Sequence, residues 1–192
     1  MFRTTVSAFT GAGLALVLTA GLANAAEYKI DPAHSFVEFK ISHLGFSTMD
    51  GRFNDISGTF TYAPDEGEGA QAVAVTIPTA SVDTNHAERD KHLRSDDFLN
   101  VEAFPEATFK STGFTGDENG GVMAGELTLH GVTKPVEIQV EKIGEGKDPW
   151  GGYRAGFTGT LTITRADFDM AYDLGPAAET VDLTFMIEGV QQ

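Results

Sequence analysis

A chain of 192 residues with no cysteine and a formal charge of −15 excludes several function classes at once. Without Cys there is no disulfide framework, no lipoprotein acylation and no thiol chemistry, so a hydrophobic core must supply the stability. A chain this acidic repels nucleic acid and anionic lipid headgroups at long range; no nucleic-acid partner is expected, and a membrane-derived ligand must be held by apolar burial, not by charge.

Residues 1–25 read as a signal peptide. Arg3 supplies a positive start, an apolar run follows from Val6 to Leu22, and Ala23-Asn24-Ala25 has the small-x-small pattern of a cleavage site. The run is short and broken by Gly11, Gly13 and Gly21, which argues against a membrane anchor. The expectation is cleavage between Ala25 and Ala26, a periplasmic location, no stable membrane insertion, and one domain over residues 26–192. Cleavage removes Arg3 and no acid, leaving the domain one unit more negative.

From there the dominant period is two. Val37, Phe39 and Ile41 alternate with polar residues, as do Val73, Val75 and Ile77 with small ones. Leu127 and Leu129, then Val136, Ile138 and Val140, then Leu161 and Ile163, then Val181, Leu183, Phe185 and Ile187 repeat the pattern. Each is the signature of an antiparallel strand with one dry and one wet face. Turn chemistry separates them at Ala63–Gly69, Asp117–Gly121, His130–Pro135 and a longer loop over Gly144–Gly152.

The exception is Ser81–Phe109. Asn85 to Arg94 carries seven ionisable side chains in ten positions, with only Ala87 and Leu93 apolar. A helix with so little apolar face cannot be ordinary core and must lie across the outside or end of something built from strands, as a lid. Strands with so few helices must bury their dry faces against each other. The fold class is all-β with minor α, and the strand count suits an up-and-down antiparallel barrel of about eight strands. Composition alone does not separate a barrel from a sandwich.

Catalytic and metal signals are thin. His86 and Asp90 are four apart, as are Glu88 and His92, but His86 and His92 are six apart and cannot share a two-His zinc face. Gly-x-Ser-x-Gly, His-Glu-x-x-His and phosphate-loop patterns are missing from the sequence. No cofactor, no metal and no enzymatic activity are expected.

Motifs along the whole mature chain resemble the YceI-like family. They include Tyr28-Lys29-Ile30-Asp31, His34-Ser35, Ile41-Ser42-His43-Leu44-Gly45 and Gly58-Thr59-Phe60, then the run Ser81 to Arg94. Phe104-Pro105 with Ala107-Thr108-Phe109, Leu127-Thr128-Leu129, Gly131 to Pro135, Asp148 to Gly152 and Asp173-Leu174-Gly175-Pro176 complete the match. The resemblance implies a lipocalin-like barrel, with the charged helix-containing insertion near its mouth. It also implies an apolar channel for a polyisoprenoid or quinone-like lipid. The ligand-binding candidates are then the inward strand positions Phe39, Ile41, Val75, Leu127, Leu129, Ile138, Phe157, Leu161, Leu183 and Phe185, with Asn85, His86 and Asp90 at the channel mouth. An enzyme acting on a lipid headgroup there, or a stress-protective protein without a dedicated ligand, are the competing classes. The sequence leaves a homodimer open.

Overall fold

The computed structural model describes residues 25–63 and 72–192. The expected signal peptide, apart from Ala25, and nearly all of the Ala63–Gly69 turn lie outside them. Among the described residues, eleven antiparallel strands form one sheet. They are β1 (Ala26–Ile30), β2 (Phe36–His43), β3 (Ser47–Phe53), β4 (Ser57–Tyr62), β5 (Val73–Pro78), β6 (Val82–Asp83), β7 (Glu106–Asp117), β8 (Gly120–Leu129), β9 (Val132–Lys147), β10 (Tyr153–Thr164) and β11 (Thr180–Gln191).

The sheet closes because β11 pairs with β1 as well as β10, giving the ring β1-β4-β5-β7-β8-β9-β10-β11. The remaining strands, β2, β3 and β6, are second halves of ring strands. β1 and β2 lie end to end along one edge of β11: Tyr28–Ile30 face Gln191–Gly189, and Phe36–Lys40 face Met186–Asp182. β4 and β3 continue each other in the same way beside them, as do β5 and β6. The molecule is therefore an eight-stranded up-and-down barrel in which three strands are each broken once. At the first break Ser35 replaces the missing ladder, its hydroxyl donating to the Glu188 carbonyl (3.1 Å) and accepting the Glu188 N–H (3.0 Å).

The third break, a 3₁₀ turn at Thr79–Ser81, opens a seam. β5 pairs with β7, but the far edge of β6 meets no strand. Residues 84–105 fill that gap, including helix α1 (Ala87–Leu93). Arg94 donates to the carbonyls of Ala80 and Val82, and Thr79 ties to Pro105 and Phe104, so the edge is capped rather than left as a template for aggregation. His86 caps α1 by accepting the Arg89 N–H at 3.3 Å, with acids in the first turn and bases in the last.

Two expected turns are shorter than their sequences imply. The β8–β9 return is only His130–Gly131, both at positive φ (51° and 75°), which matches the twist of a tight hairpin; Pro135 already stands in β9 opposite Glu126. The Gly144–Gly152 loop shrinks to Asp148–Gly152, because Gly144–Lys147 continue β9 against Gly156–Tyr153. Backbone pairing there does not depend on apolar side chains, so the Gly- and charge-rich segment conceals a strand. Asp148 then closes the turn, accepting the N–H groups of Trp150 (2.9 Å) and Gly152 (2.8 Å).

Candidate functional site

The inward faces enclose an apolar channel with two lobes. The inner lobe, about 130 Å³, is walled by residues such as Phe60, Val73, Phe114 and Met123. The outer lobe, about 350 Å³, runs toward Met49, Leu99, Met170 and Tyr172. Both touch Ile77, Ala107, Leu127 and Phe185, which form a waist between them. Nearly every wall atom is carbon.

All ten sequence-derived wall positions face this channel. Val75, Ile138, Phe157 and Leu161 line the inner lobe, Phe39, Ile41, Leu129 and Leu183 the outer lobe, and Leu127 and Phe185 the waist. Strand parity puts them there, since residues two apart return to the same face. Gly51 lies opposite Phe39 on β3, where a Cβ would overlap the Phe39 ring; the glycine gives the ring room to lie against the wall. Phe157 meets Phe60 and Tyr62 edge-on at 5.6 and 5.1 Å, a favourable aromatic geometry.

The three residues expected at the mouth are placed differently. Asn85 sits at φ 59° with its N–H on Asp83 Oδ1 (2.8 Å), beside an exterior polar groove. His86 is an exposed helix cap. Asp90 is buried, its carboxylate accepting the N–H (2.8 Å) and the hydroxyl of Thr84. The inward face of α1 is instead Arg89, His92 and Leu93. These follow the i, i+3, i+4 spacing of one helical face, and Leu93, the apolar residue at its end, was the signal that could have fixed its phase.

The mouth is polar but donor-rich. Arg89 donates from Nε to Thr84 Oγ1 (2.7 Å) and from Nη2 to the Thr84 carbonyl (2.8 Å). Arg165, which sequence reasoning missed, is buried in the outer wall and donates to the carbonyls of Ala178 (2.7 Å), Met170 (3.1 Å) and Tyr172 (3.0 Å). Burial pushes its pKa down, opposed by the charges of Asp173 and Glu179. His92 holds Asp97 at 2.8 Å and sits edge-on to Phe98 and Tyr172. Two guanidinium groups thus stand at the opening of a carbon-lined channel in an otherwise strongly acidic protein.

At the other end, Lys142 donates to Tyr62 Oη (3.1 Å) and pairs with Glu145 (3.2 Å), which together hold the ammonium pKa above its usual value. Among the described residues, Asp31, His34 and Glu188 bring possible metal-ligand atoms within 4.8 Å of one another. Arg154 Nη1 already donates to Asp31 Oδ2 (2.7 Å) and to Glu188, while its Nε holds Asp148 (2.9 Å). A cation occupies the place a metal would take, and the cluster reads as an ion-pair clamp joining β1, β10, β11 and the Asp148 turn. The Arg154 guanidinium, helped by His34, lowers the Asp31 pKa to about 2.

Residues 28–189 match the YceI-like domain. A UPF0312 protein of Pseudomonas aeruginosa is 54% identical over 188 residues, covering 95% of this chain and 98% of its own. A Yersinia enterocolitica UPF0312 protein is 54% identical over 179 residues, covering 92% and 93%. Among solved structures, the YCEI protein of Campylobacter jejuni superposes with a TM-score of 0.70 at 30% identity, covering 79% of this chain and 90% of that one. The fold alone is shared with a polyisoprenoid binding domain from Saccharophagus degradans, TM-score 0.63 at 20% identity, covering 88% and 100%.

Proposed function

This chain belongs to the YceI-like family, and on that footing we propose that it is a periplasmic carrier. Its cargo is a long polyisoprenoid or isoprenoid-quinone-like lipid held in the barrel channel. The observation that carries this reading is the two-lobed channel itself: a continuous run of apolar wall, with hydrogen-bond donors gathered at one opening. A flexible branched hydrocarbon fits the carbon wall, and an oxygen-bearing head group finds Arg89 and Arg165 at the mouth. The polyisoprenoid binding named for the Saccharophagus degradans domain supports the same ligand class.

Energetics favour carriage over sequestration. Burying each CH₂ from water gains about 0.8 kcal/mol, but a prenyl lipid starts in a bilayer, already out of water. Transfer from bilayer to barrel is near neutral, so loading is reversible. A catalytic reading that uses Asp90 is not favoured, because its carboxylate is buried and engaged by Thr84. The periplasmic location rests on the sequence of residues 1–25, and N-terminal sequencing of the exported protein should begin at Ala26. Native mass spectrometry of protein purified from its host tests the function: a bound apolar mass released by organic solvent is expected. Protein that emerges without lipid and takes up no prenyl lipid on reconstitution would overturn the carrier reading.

A further inference from the structure

The hairpin joining β2 and β3 ends in Leu44 and Phe46, which are 54% and 86% exposed. Single exposed apolar residues are ordinary on a protein surface. These two flank Gly45 on one tip and lie at the rim of the channel. Ile41 and Met49 pair across the same hairpin and line the outer lobe. On the other side, a Cβ at Gly45 would stand 3.8 Å from that of Ala177, close in sequence to Leu174, which also lines the lobe. Tyr172, a wall residue that is 42% exposed, continues the apolar surface. On this side of the mouth, apolar side chains of the wall are therefore followed by exposed apolar side chains at the tip.

The tip is held rather than loose. Leu44 and Gly45 take φ of 54° and 77°, the Phe46 N–H donates to the His43 carbonyl (2.9 Å), and Ser42 Oγ accepts the Gly45 N–H (3.2 Å). Its charge is also distinctive. From Ile41 to Met49 there is no Asp, Glu, Lys or Arg, in a chain of net charge −15. At the base of the hairpin Lys40 and Asp50 oppose each other at 3.6 Å.

We infer that this rim is a docking surface for a lipid bilayer, through which apolar ligand passes between membrane and channel. The inference rests on the carrier reading and adds its partner. A second copy of the chain is the weaker occupant. Three side chains, with even an aromatic one burying only about 150–250 Å², fall short of the roughly 800 Å² per partner of a stable interface. A shallow anchor at the boundary between headgroups and acyl chains needs no such area, and Leu, Phe and Tyr suit that depth. The uncharged tip lets an acidic protein bring one point to a membrane without carrying its charge there.

The test compares the mature protein with its Leu44→Ser/Phe46→Ser variant. Three things are measured: flotation with phosphatidylcholine vesicles, the rate at which a fluorescent prenyl lipid leaves those vesicles for the protein, and equilibrium binding of farnesol from solution. The variant should float poorly and load about tenfold more slowly, as expected for losing several buried carbons. Its farnesol affinity and melting temperature should stay unchanged. An unaltered flotation and loading rate would overturn the inference. So would a parent that sediments as a dimer broken by the same substitutions. If the parent floats and the variant does not, yet neither binds farnesol or prenyl lipid, the rim stands and the carrier reading falls.

Discussion

Asp90 and Thr84 hold each other across the start of the insertion: one carboxylate oxygen of Asp90 takes both the backbone N–H and the hydroxyl of Thr84. Thr84 in turn accepts Arg89 Nε and, through its carbonyl, Arg89 Nη2. A buried acid of α1 that does not line the channel thereby sets the position of a guanidinium at its mouth.

Asp90→Ala should cost about 2 kcal/mol, because it leaves the Thr84 N–H buried without its acceptor. It should also change the release rate of a prenyl probe by freeing Arg89, whereas His86→Ala should affect neither strongly, since it removes only an exposed cap. Urea unfolding and stopped-flow release separate the two variants. An Asp90→Ala protein as stable as the parent would show that this brace is dispensable.

How far the sequence carried depended on whether side-chain parity survived along each strand. It survives in β11, so Val181, Leu183, Phe185 and Ile187 were legible as one face. It fails in β7, where the register shift between Ser111 and Gly113 moves the inward set from Ala107 and Phe109 to Phe114 and hides the period. In β3 the inward position between Met49 and Phe53 is Gly51, left small for the Phe39 ring, so that strand reads as polar. The breaks that divide three barrel strands carry turn residues (Asp31-Pro32, Asn54-Asp55 and Pro78), but that the two halves lie end to end along one neighbour is set by pairing with distant strands. The phase of α1 is hard to read for a related reason: charge dominates its composition, and only Leu93 marks the face turned to the channel.

Leu129→Asp and Leu183→Asp should each destabilise the fold by several kcal/mol, about 3–5, by putting an unpaired charge on the dry wall. Both residues touch the outer lobe, so thermal melts should fall in parallel. Melts matching the parent would mean that water reaches this part of the channel.

The aromatic wall of the inner lobe should matter more for occupancy than for folding. Phe157 is half-buried, faces the cavity and meets Phe60 and Tyr62 edge-on. Phe157→Ala should cost less than the roughly 3–5 kcal/mol of a fully enclosed Phe while altering the amount of lipid retained through purification. A full core-sized loss with unchanged lipid content would assign the ring to packing alone.

Acid should loosen the clamp around Arg154. Folded Asp31 stays ionised down to about pH 2, whereas an unfolded chain protonates an Asp near pH 4. Between those values the unfolded state binds the proton more readily, so stability rises with pH. The Asp31 contribution is complete above about pH 4 and lost as pH falls through about 2. Asp31→Asn should flatten part of that limb of the stability curve. Asp148, also lowered by Arg154, keeps the remainder. Parallel curves for parent and variant would mean that the pair adds no net stability.

The waist should set how long a ligand the protein accepts. Ala107 is buried in β7 at the junction of the two lobes, where Ile77, Leu127 and Phe185 also converge. A ligand short enough for the outer lobe never passes it; a longer one must thread it to bury its remaining carbons, each worth about 0.8 kcal/mol from water. Parent affinity should therefore rise from geraniol through farnesol to geranylgeraniol. Ala107→Phe should keep the geraniol affinity and lose the increments that follow. Val140→Trp, which fills the inner lobe from its own wall and leaves the waist untouched, should give the same truncated series. Two variants that still gain affinity with each isoprene unit would show that the tail extends out of the mouth and leaves the inner lobe empty.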